Sequence, residues 1–380
     1  MNLIFFQNCI SPHQVPYIRE CAKDKRIEHV YLIVPRTDYE QRKDMGWNSS
    51  KLLVDTAITC YVMPSDKLVL TLLQNTSNSF CFFSGIRADA NVYYWFKMSL
   101  TYDVKRFIIT EPPLTYKKPL WMHYLRFYLQ DYKYVKHIDG IFGFGQAAVD
   151  YYRSISKHWK VFPFQYVTES TQRTSFQTSS SGRLKLLFVG SLSHRKNVRV
   201  VLDALNNLSD IEFTIVGDGE EKTALKELVV QKKLLVTFCG KKQMNEIPHI
   251  MENHDILILP SLHDGWGAVV NEAITMGLYI ITSDKCGAKA LIKNKRIGIV
   301  FKNNDATDLH IKLHDCLINK ETIRNDLDAR LEYSKTIQGP AVAKYFINCL
   351  NQIKKRLTKK QYLVQILILH SAILQALGYL

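Results

Sequence analysis

Short apolar runs without polar alternation constrain the fold of this chain more than any other feature. They occupy residues 30–34, 186–189, 213–216 and 256–259. Such runs are typical of strands buried on both faces, because a solvent-facing side would place polar residues at every second position. Amphipathic segments of helical period lie between them, for example at 196–207, 219–231 and 267–276. This alternation predicts an α/β fold in which helices cover parallel sheets.

The length and one polar segment divide the chain. With 380 residues it is long enough for two domains of common size. Residues 167–183 are rich in Ser and Thr and fit neither the strand nor the helix period, so we interpret them as a linker. The predicted parts are a first domain at 1–166, the linker at 167–183, a second domain at 184–335 and C-terminal helices at 336–380.

Composition and charge narrow the class of protein. Hydrophobic residues make up 47% of the chain and charged residues 22%, which excludes wholesale disorder. The eight cysteines are scattered singly and the first residues lack the features of a signal peptide, so we expect a reducing compartment without disulfides or a structural metal. The net charge of +15 indicates an anionic partner, which could be nucleotide phosphates, acidic lipid or nucleic acid.

The strongest motif runs from residue 255 to residue 284. It contains a buried strand, a turn from Asp264 to Gly267 and a helix that carries Glu272. Its glycines allow close approach of a ligand, and the free N–H groups of a helix start suit an anion or a sugar oxygen. Two carboxylates beside such a turn suit the recognition of hydroxyl groups. The plainer alternative is that Asp264 caps the helix and Glu272 is solvated.

A second motif, residues 188–197, is a strand that ends at Gly190 and continues through Ser191 into a loop with Arg195 and Lys196. Two cations beside a helix start can bind a diphosphate without a metal. The alternative is a solvated basic loop.

Two further glycine turns carry less information. Residues 215–219 include Gly217 and Asp218, and such a turn occurs in any α/β protein. Residues 143–148 resemble a dinucleotide fingerprint, but they lie late in the first domain and lack a well-placed acidic partner, so we do not expect a nicotinamide cofactor.

Together these motifs resemble, in order and spacing, the family-4 nucleotide-sugar glycosyltransferases. The resemblance covers about 184–300 firmly and 1–166 more weakly. It implies the GT-B fold, in which two Rossmann-like domains face each other across a cleft, with the first domain on the acceptor side and the second on the donor side. It also implies retention of anomeric configuration, no metal and no cofactor other than the nucleotide diphosphate sugar that serves as substrate.

The resemblance assigns roles to the motif residues. Asp264 and the amides of the following turn would hold the donor sugar, Glu272 would bind the ribose hydroxyls, and Arg195 and Lys196 would hold the diphosphate. The family often has Arg where this chain has Ser191. The donor-binding residues implied are Gly190, Ser191, Gly217, Asp218, Gly265, Trp266, Gly267, Ala268 and Glu272, and the catalytic ones are Arg195, Lys196, Asp264 and Glu111.

The first domain supplies cleft candidates at predicted strand ends. Glu111 follows a strand at the place where relatives often have a cleft His, so we interpret it as a contact for donor or acceptor hydroxyls. His13, Ser84 and Arg87 are further candidates. For His13 the alternative is a histidine on a surface loop.

Two segments combine basic with apolar or aromatic residues. Residues 116–137 are predicted to form a basic, aromatic helix, and residues 353–380 have a basic start followed by an apolar run. Both suit an anionic membrane surface. Alternatively, the first packs its aromatics on the sheet or stacks nucleic-acid bases, and the second packs on the protein's own surface.

The sequence therefore predicts an enzyme that moves a sugar from a nucleotide diphosphate sugar to a lipid-linked or polysaccharide acceptor in surface-polysaccharide synthesis. It is predicted to be cytoplasmic and peripheral at the inner face of the membrane. The alternatives are a nucleotide-sugar epimerase or phosphorylase of the same fold and a non-catalytic, membrane-associated partner subunit. A nucleic-acid partner is not expected, because no nucleic-acid module is recognised.

Overall fold

A computed structural model describes residues 1–39, 49–53, 57–74, 78–115, 117–169, 173 and 182–353. Within these residues, the first sheet contains seven strands, all parallel, in the order β3-β2-β1-β4-β5-β6-β7. The strands are β1 (Asn2–Phe6), β2 (His29–Val34), β3 (Ile58–Val62), β4 (Ser79–Ser84), β5 (Lys105–Thr110), β6 (Gly140–Phe144) and β7 (Lys160–Phe164).

The second sheet contains six described strands, also parallel, in the order β10-β9-β8-β11-β12-β13. They are β8 (Leu184–Val189), β9 (Ile211–Val216), β10 (Val236–Gly240), β11 (Ile256–Leu259), β12 (Tyr279–Ser283) and β13 (Gly298–Phe301). The four apolar runs singled out in the sequence form the cores of β2, β8, β9 and β11. The predicted α/β fold with two Rossmann-like domains is confirmed.

Helices cover the two sheets. In chain order they are α1 (Val15–Ala22), α2 (Asp66–Gln74), α3 (Ala90–Ser99), α4 (Leu120–Gln130), α5 (Gly145–Ile155), α6 (Val198–Ala204), α7 (Lys222–Lys232), α8 (Ile247–Glu252), α9 (Val269–Thr275), α10 (Ala306–Ile318), α11 (Lys320–Asn325), α12 (Leu327–Lys335) and α13 (339–353). None of these helices has the length and apolar character that a membrane crossing requires.

Two predicted helices are each divided in the structure. The segment predicted at 196–207 begins as a 3-10 turn at His194–Lys196, and α6 starts only after Asn197, whose φ of 50° interrupts the helix. In the described part of the segment predicted at 116–137, α4 is followed by a separate 3-10 turn at Tyr132–His137. The prediction of one continuous helix was wrong in both places, because a helical period does not reveal a local break in the backbone.

Helix α13 follows the second domain in sequence but packs on the first sheet. The ring of Phe346 is fully buried, with its centroid 4.7 Å from that of Phe142, 4.9 Å from Phe82 and 6.0 Å from Phe5. The end of the described chain thus completes the core of the first domain. The predicted apolar tail after residue 353 lies outside the described residues.

Most of the predicted linker also lies outside the described residues, but Arg173 is placed. Its guanidinium donates one hydrogen bond to the carbonyl of Glu252 and one to that of Met276, each 2.7 Å long. These carbonyls lie at the C-terminal ends of α8 and α9, where backbone acceptors lack partners within the helix. Arg173 therefore ties the chain between the domains to two helices of the second domain.

Candidate active site

Residues at the carboxyl ends of strands from both sheets line two adjoining cavities. The first-domain cavity, of about 780 Å³, is lined mainly by residues that follow β1, β4 and β5. The second-domain cavity, of about 520 Å³, is lined mainly by residues that follow β8, β9 and β10. His13 lines both of them, so this predicted cleft residue lies where the two cavities meet.

The second-domain cavity collects four of the residues that the glycine turns predicted, namely Gly190, Ser191, Gly217 and Asp218. The turns after β8 and β9 are in tight contact, since a Cβ on Gly217 would overlap the carbonyl oxygen of Gly190. The φ of Gly217, 142°, is also one that other residues rarely adopt. Only glycine at this position permits the two strand ends to form one wall of the cavity.

An ion-paired cluster lies beside these turns. The Lys196 Nζ atom is 2.6 Å from Asp264 Oδ2, and an Arg195 nitrogen is 3.4 Å from the same oxygen. Burial alone would raise the pKa of Asp264, but Lys196 and Arg195 hold that pKa below its usual value. Asp264 is therefore an ionised carboxylate held between two cations, at the edge of the first-domain cavity.

Lys196 links this cluster to the second-domain cavity. A Cβ placed on Gly190 would lie 3.8 Å from Cε of Lys196, and Gly190 itself lines that cavity. Arg195 is oriented from the other side by a 2.9 Å hydrogen bond that it donates to the carbonyl of His263. The two predicted phosphate-binding cations themselves line neither cavity. Lys196 approaches the second-domain cavity behind Gly190, and both cations pair with Asp264, which lines the first-domain cavity.

Glu272 faces the second-domain cavity from α9. The side chain is half-buried, and among the described residues its carboxylate has no hydrogen bond or ion pair. Burial raises its pKa to about 7. A carboxylate in this state can accept hydrogen bonds from ligand hydroxyl groups without first giving up a protein partner.

Some residues of the turn after Asp264 line a cavity, and others are buried in the core. Gly267 and Ala268 line the first-domain cavity, whereas Gly265 and Trp266 line neither cavity. The Trp266 ring is 1% exposed and donates a 2.7 Å hydrogen bond to the side chain of Asn271. Any role of Trp266 toward a ligand is therefore limited to its backbone, and its side chain is a core residue.

Glu111 reaches across from the first domain to this turn. Its carboxylate accepts a 2.8 Å hydrogen bond from the hydroxyl of Tyr166, and a Cβ on Gly265 would overlap its Oε2. Tyr166 was not predicted as a site residue. Its ring centroid lies 4.3 Å from that of Phe144 and 5.8 Å from that of His13. In the sequence, its position at the end of the first domain was the one signal that could have indicated a site residue.

The remaining predicted residues, Ser84 and Arg87, also line the first-domain cavity. The Ser84 hydroxyl is buried without a partner among the described residues. In contrast, Arg87 donates a 2.5 Å hydrogen bond from Nε to Asp131, and its guanidinium lies 4.3 Å from the centroid of the Tyr93 ring. Arg87 therefore enters the cavity wall as part of an ion pair.

Further residues of the second-domain cavity were missed. Lys241 and Lys242 directly follow Gly240 at the end of β10, and this position after a strand was a signal that could have identified them. An apolar part of the wall comes from Ile247 and Met251 of α8. The cavity therefore has a cationic part and an apolar part.

Comparison with known proteins identifies the second domain. Residues 170–333 match the family model described as Glycosyl transferases group 1. Residues 170–333 form a group 1 glycosyltransferase domain. The family resemblance expected from the sequence is thereby confirmed for the part of the chain where the motifs are strongest.

Curated glycosyltransferases match parts of this chain. An uncharacterized glycosyltransferase of Methanocaldococcus jannaschii is 28% identical over 39% of this chain and 42% of its own length. The UDP-Gal:alpha-D-GlcNAc-diphosphoundecaprenol alpha-1,3-galactosyltransferase of Escherichia coli is 36% identical over 31% and 32%. An N-acetylgalactosaminyltransferase of Campylobacter jejuni, whose named acceptor is a diphosphoundecaprenol-linked saccharide, is 27% identical over 50% and 53%. The matches thus span about a third to a half of these relatives.

Solved structures match the chain across both of its domains. HepE of Anabaena in complex with UDP has a TM-score of 0.67 at 14% identity, over 93% of this chain and 100% of that one. The lipopolysaccharide outer core galactosyltransferase WaaB has a TM-score of 0.65 at 15% identity, over 93% and 99%. At this identity the likeness shows the fold, which is the two-domain GT-B arrangement predicted.

Proposed function

We propose that this chain transfers a sugar from a nucleotide diphosphate sugar to a hydroxyl group of a lipid-linked or polysaccharide acceptor. The observation that carries the proposal is the position of Lys196, Arg195 and Asp264. These three residues form one ion-paired cluster, in which Asp264 lines the first-domain cavity and Lys196 lies behind Gly190 in the wall of the second-domain cavity. A transferase needs such a junction between two cavities, where a donor and an acceptor meet.

The donor nucleotide occupies the second-domain cavity in this proposal. The apolar wall at Ile247 and Met251 suits a nucleobase, and the carboxylate of Glu272 suits the ribose hydroxyls. The diphosphate lies beside the Gly190 and Gly217 turns, within reach of Lys196 and Arg195. Asp264 and the backbone of Gly267 then contact the sugar, because both lie at the edge of the first-domain cavity.

The proposed reaction breaks the bond between the anomeric carbon and the diphosphate oxygen and forms a bond to the acceptor oxygen. Lys196 and Arg195 neutralise the negative charge that develops on the departing diphosphate, the task that a divalent cation performs in other enzymes. The acceptor's proton passes to the leaving phosphate. We propose that the reaction retains the anomeric configuration and needs no metal, as the family resemblance implies.

The acceptor occupies the first-domain cavity, where Glu111, His13 and Ser84 supply polar contacts. The Escherichia coli and Campylobacter jejuni relatives are named for acceptors attached to diphosphoundecaprenol. We therefore propose a lipid-linked saccharide as acceptor, a role in surface-polysaccharide synthesis, and a cytoplasmic location at the inner face of the membrane.

The first test is a thermal-shift screen of the purified chain with UDP, GDP, ADP, CMP and their sugars in the presence of EDTA. A ligand that binds only the native state raises the unfolding midpoint. A shift with one diphosphate series, followed by transfer of that sugar to a diphospholipid-linked saccharide, would support the proposal. Proton NMR of the product then tests retention.

Two results would replace the proposal by an alternative. Release of an isomeric sugar nucleotide without an acceptor would favour an epimerase. Absence of any nucleotide binding would favour a non-catalytic partner subunit.

A further inference from the structure

Helix α4 of the first domain exposes an apolar stripe to solvent. Of its eleven residues only Phe127 is buried. Trp121 is 63% exposed and Leu129 is 76% exposed. The stripe, which we call the α4 face, consists of Trp121, Leu125, Tyr128, Leu129 and Tyr132. Helical spacing places the first four on one side of α4, and Tyr132 extends the stripe into the following 3-10 turn.

The opposite side of α4 is firmly attached to the protein. The Phe127 ring lies 5.8 Å from that of Trp159, and the hydroxyl of Tyr151 donates a 3.1 Å hydrogen bond to the carbonyl of His123. The Tyr124 hydroxyl is 2.6 Å from that of Ser154. Because the helix is anchored on this side, the α4 face is held outward, and burying it requires a partner outside the first domain.

Cations surround the α4 face. The basic residues are Lys117, Lys118, Arg126, Lys133 and Lys136, all of them exposed. Between residues 112 and 138 the one acidic residue is Asp131, and Arg87 already pairs with it. A second copy of this face would bring like charges together, whereas an anionic surface would neutralise them.

Apolar and aromatic side chains in a ring of lysines match the two layers of a membrane interface. Leu and Trp side chains enter the boundary of the acyl chains, while the long lysine side chains reach the phosphate groups. Nucleic acid would suit the charge and the aromatic rings, but exposed leucines such as Leu125 and Leu129 gain little from a base or a phosphate. The chemistry of the α4 face therefore favours an anionic bilayer.

The same helix also lines the first-domain cavity. His123, Arg126 and Phe127 contribute to its wall, together with Glu111 and Asp264. The α4 face and the site are thus opposite sides of one helix about 16 Å long.

We propose that the α4 face docks the protein on an anionic lipid bilayer and holds the first-domain cavity at the membrane surface. Docking itself follows from the exposed residues. The presentation of a lipid-linked acceptor to the cavity rests on the proposed function. Vesicle binding tests the docking surface, and nucleotide binding tests the proposed function, so that either can fail without the other.

The test is flotation of the full chain with vesicles of phosphatidylcholine mixed with phosphatidylglycerol, and with vesicles of phosphatidylcholine alone. We expect about tenfold stronger binding to the anionic vesicles at low salt. The triple variant Trp121→Ser, Leu125→Ser and Leu129→Ser is expected to bind the anionic vesicles at least about tenfold more weakly than the wild type. The double variant Lys133→Gln and Lys136→Gln is expected to bind the anionic vesicles about fivefold more weakly for each cation removed.

Matched controls lie in the second domain. Val230→Ser, Ile311→Ser and Ile318→Ser remove three equally exposed apolar side chains, and Lys226→Gln with Lys295→Gln removes two exposed cations. Both control variants are expected to bind vesicles like the wild type. Thermal midpoints of all variants check that they are folded.

Several results would overturn the docking surface. These are equal binding by the triple variant and the wild type, equal binding to neutral and anionic vesicles, and displacement from vesicles by single-stranded RNA at stoichiometric concentration. Vesicle binding that depends on the α4 face, in a chain that shows no nucleotide-induced thermal shift, would support the surface and contradict the proposed function. Nucleotide binding without vesicle binding would contradict the docking surface and leave the proposed function supported.

Discussion

The ammonium nitrogen of Lys196 lies 2.6 Å from a carboxylate oxygen of Asp264, although the two residues are 68 positions apart in the chain. One belongs to the loop after β8 and the other to the loop after β11, and these strands are neighbours in the second sheet. The pair is largely withdrawn from water, with 13% of the Lys196 side chain and 14% of the Asp264 side chain exposed. The charge of Lys196 is thereby held beside Asp264 of the first-domain cavity and behind Gly190 of the second-domain cavity.

Replacement of Lys196 by Ala is expected to lower the transfer rate at least about a hundredfold, because the charge on the departing diphosphate loses a preorganised cation. The free energy of unfolding is expected to fall by about 1–3 kcal/mol, because among the described residues Asp264 keeps only Arg195 as a charged partner. Initial rates with a labelled donor and urea denaturation measure the two effects.

The control for this variant is Lys312→Ala. Lys312 pairs with Asp308 at 2.7 Å on α10, and Asp308, unlike Asp264, lines neither cavity. It is expected to change the free energy of unfolding by less than about 1 kcal/mol and to leave transfer unchanged. Near-normal transfer by Lys196→Ala would remove Lys196 from the mechanism.

The contact between Glu111 and Gly265 predicts that Gly265→Ala lowers the transfer rate. The added Cβ would lie 2.6 Å from Cδ of Glu111, which forces the carboxylate away from the turn. We expect a loss of about tenfold or more in transfer rate, with little change in nucleotide affinity, because a small displacement of a group that positions the acceptor is costly.

A double-mutant cycle makes this prediction specific. Gly265→Ala is expected to add no further loss in a Glu111→Ala background, because the clashing carboxylate is already absent. Gly182→Ala is the matched control, since a Cβ at Gly182 meets no atom of the described residues within 4 Å. Additive losses in the double variant would show that the two residues act independently.

The raised pKa of Glu272 predicts how stability depends on pH. Burial raises this pKa from 4.5 to about 7, so between these values the native state binds a proton that the unfolded state has released. The free energy of unfolding therefore falls as the pH rises through this interval. Glu272→Gln is expected to remove that fall. Between about pH 4.5 and about pH 8, the free energy of unfolding of this variant should therefore rise by roughly 1–3 kcal/mol relative to that of the wild type.

Urea denaturation at both ends of the interval measures this difference. Glu227→Gln, on the exposed side of α7, controls for the loss of one negative charge. A difference between Glu272→Gln and the wild type that is constant with pH would contradict the prediction.

Helix α13 predicts that the first domain depends on a residue near the end of the described chain. Phe346→Ala is expected to lower the free energy of unfolding by about 3–5 kcal/mol, because its ring is fully buried among aromatic rings of the first domain. Ile318→Ala, at a side chain that is 69% exposed, is expected to cost less than about 0.5 kcal/mol. Equal stability of the two variants in urea would contradict the role of α13.

Much of the fold could be predicted because it is encoded locally. The runs that became β8 and β11 are apolar at consecutive positions, which is typical of a strand covered on both faces, whereas Thr214 interrupts the run that became β9. The glycine turns after β8 and β9 could also be recognised, since backbone conformations such as that of Gly217 depend on one residue. The motifs around Lys196 and Asp264 can therefore be recognised from the sequence, whereas their relative positions cannot.

The sequence by itself determined the α/β class, the repeated strand-turn-helix order and the turns that carry the candidate site. Only the tertiary structure decided that Lys196 pairs with Asp264, that Glu111 presses against Gly265, that the ring of Trp266 enters the core, and that Phe346 belongs to the first domain. The physical reason is that these contacts join residues far apart in the chain. They depend on strand order and on the packing of two sheets, and local hydrophobic periodicity carries neither.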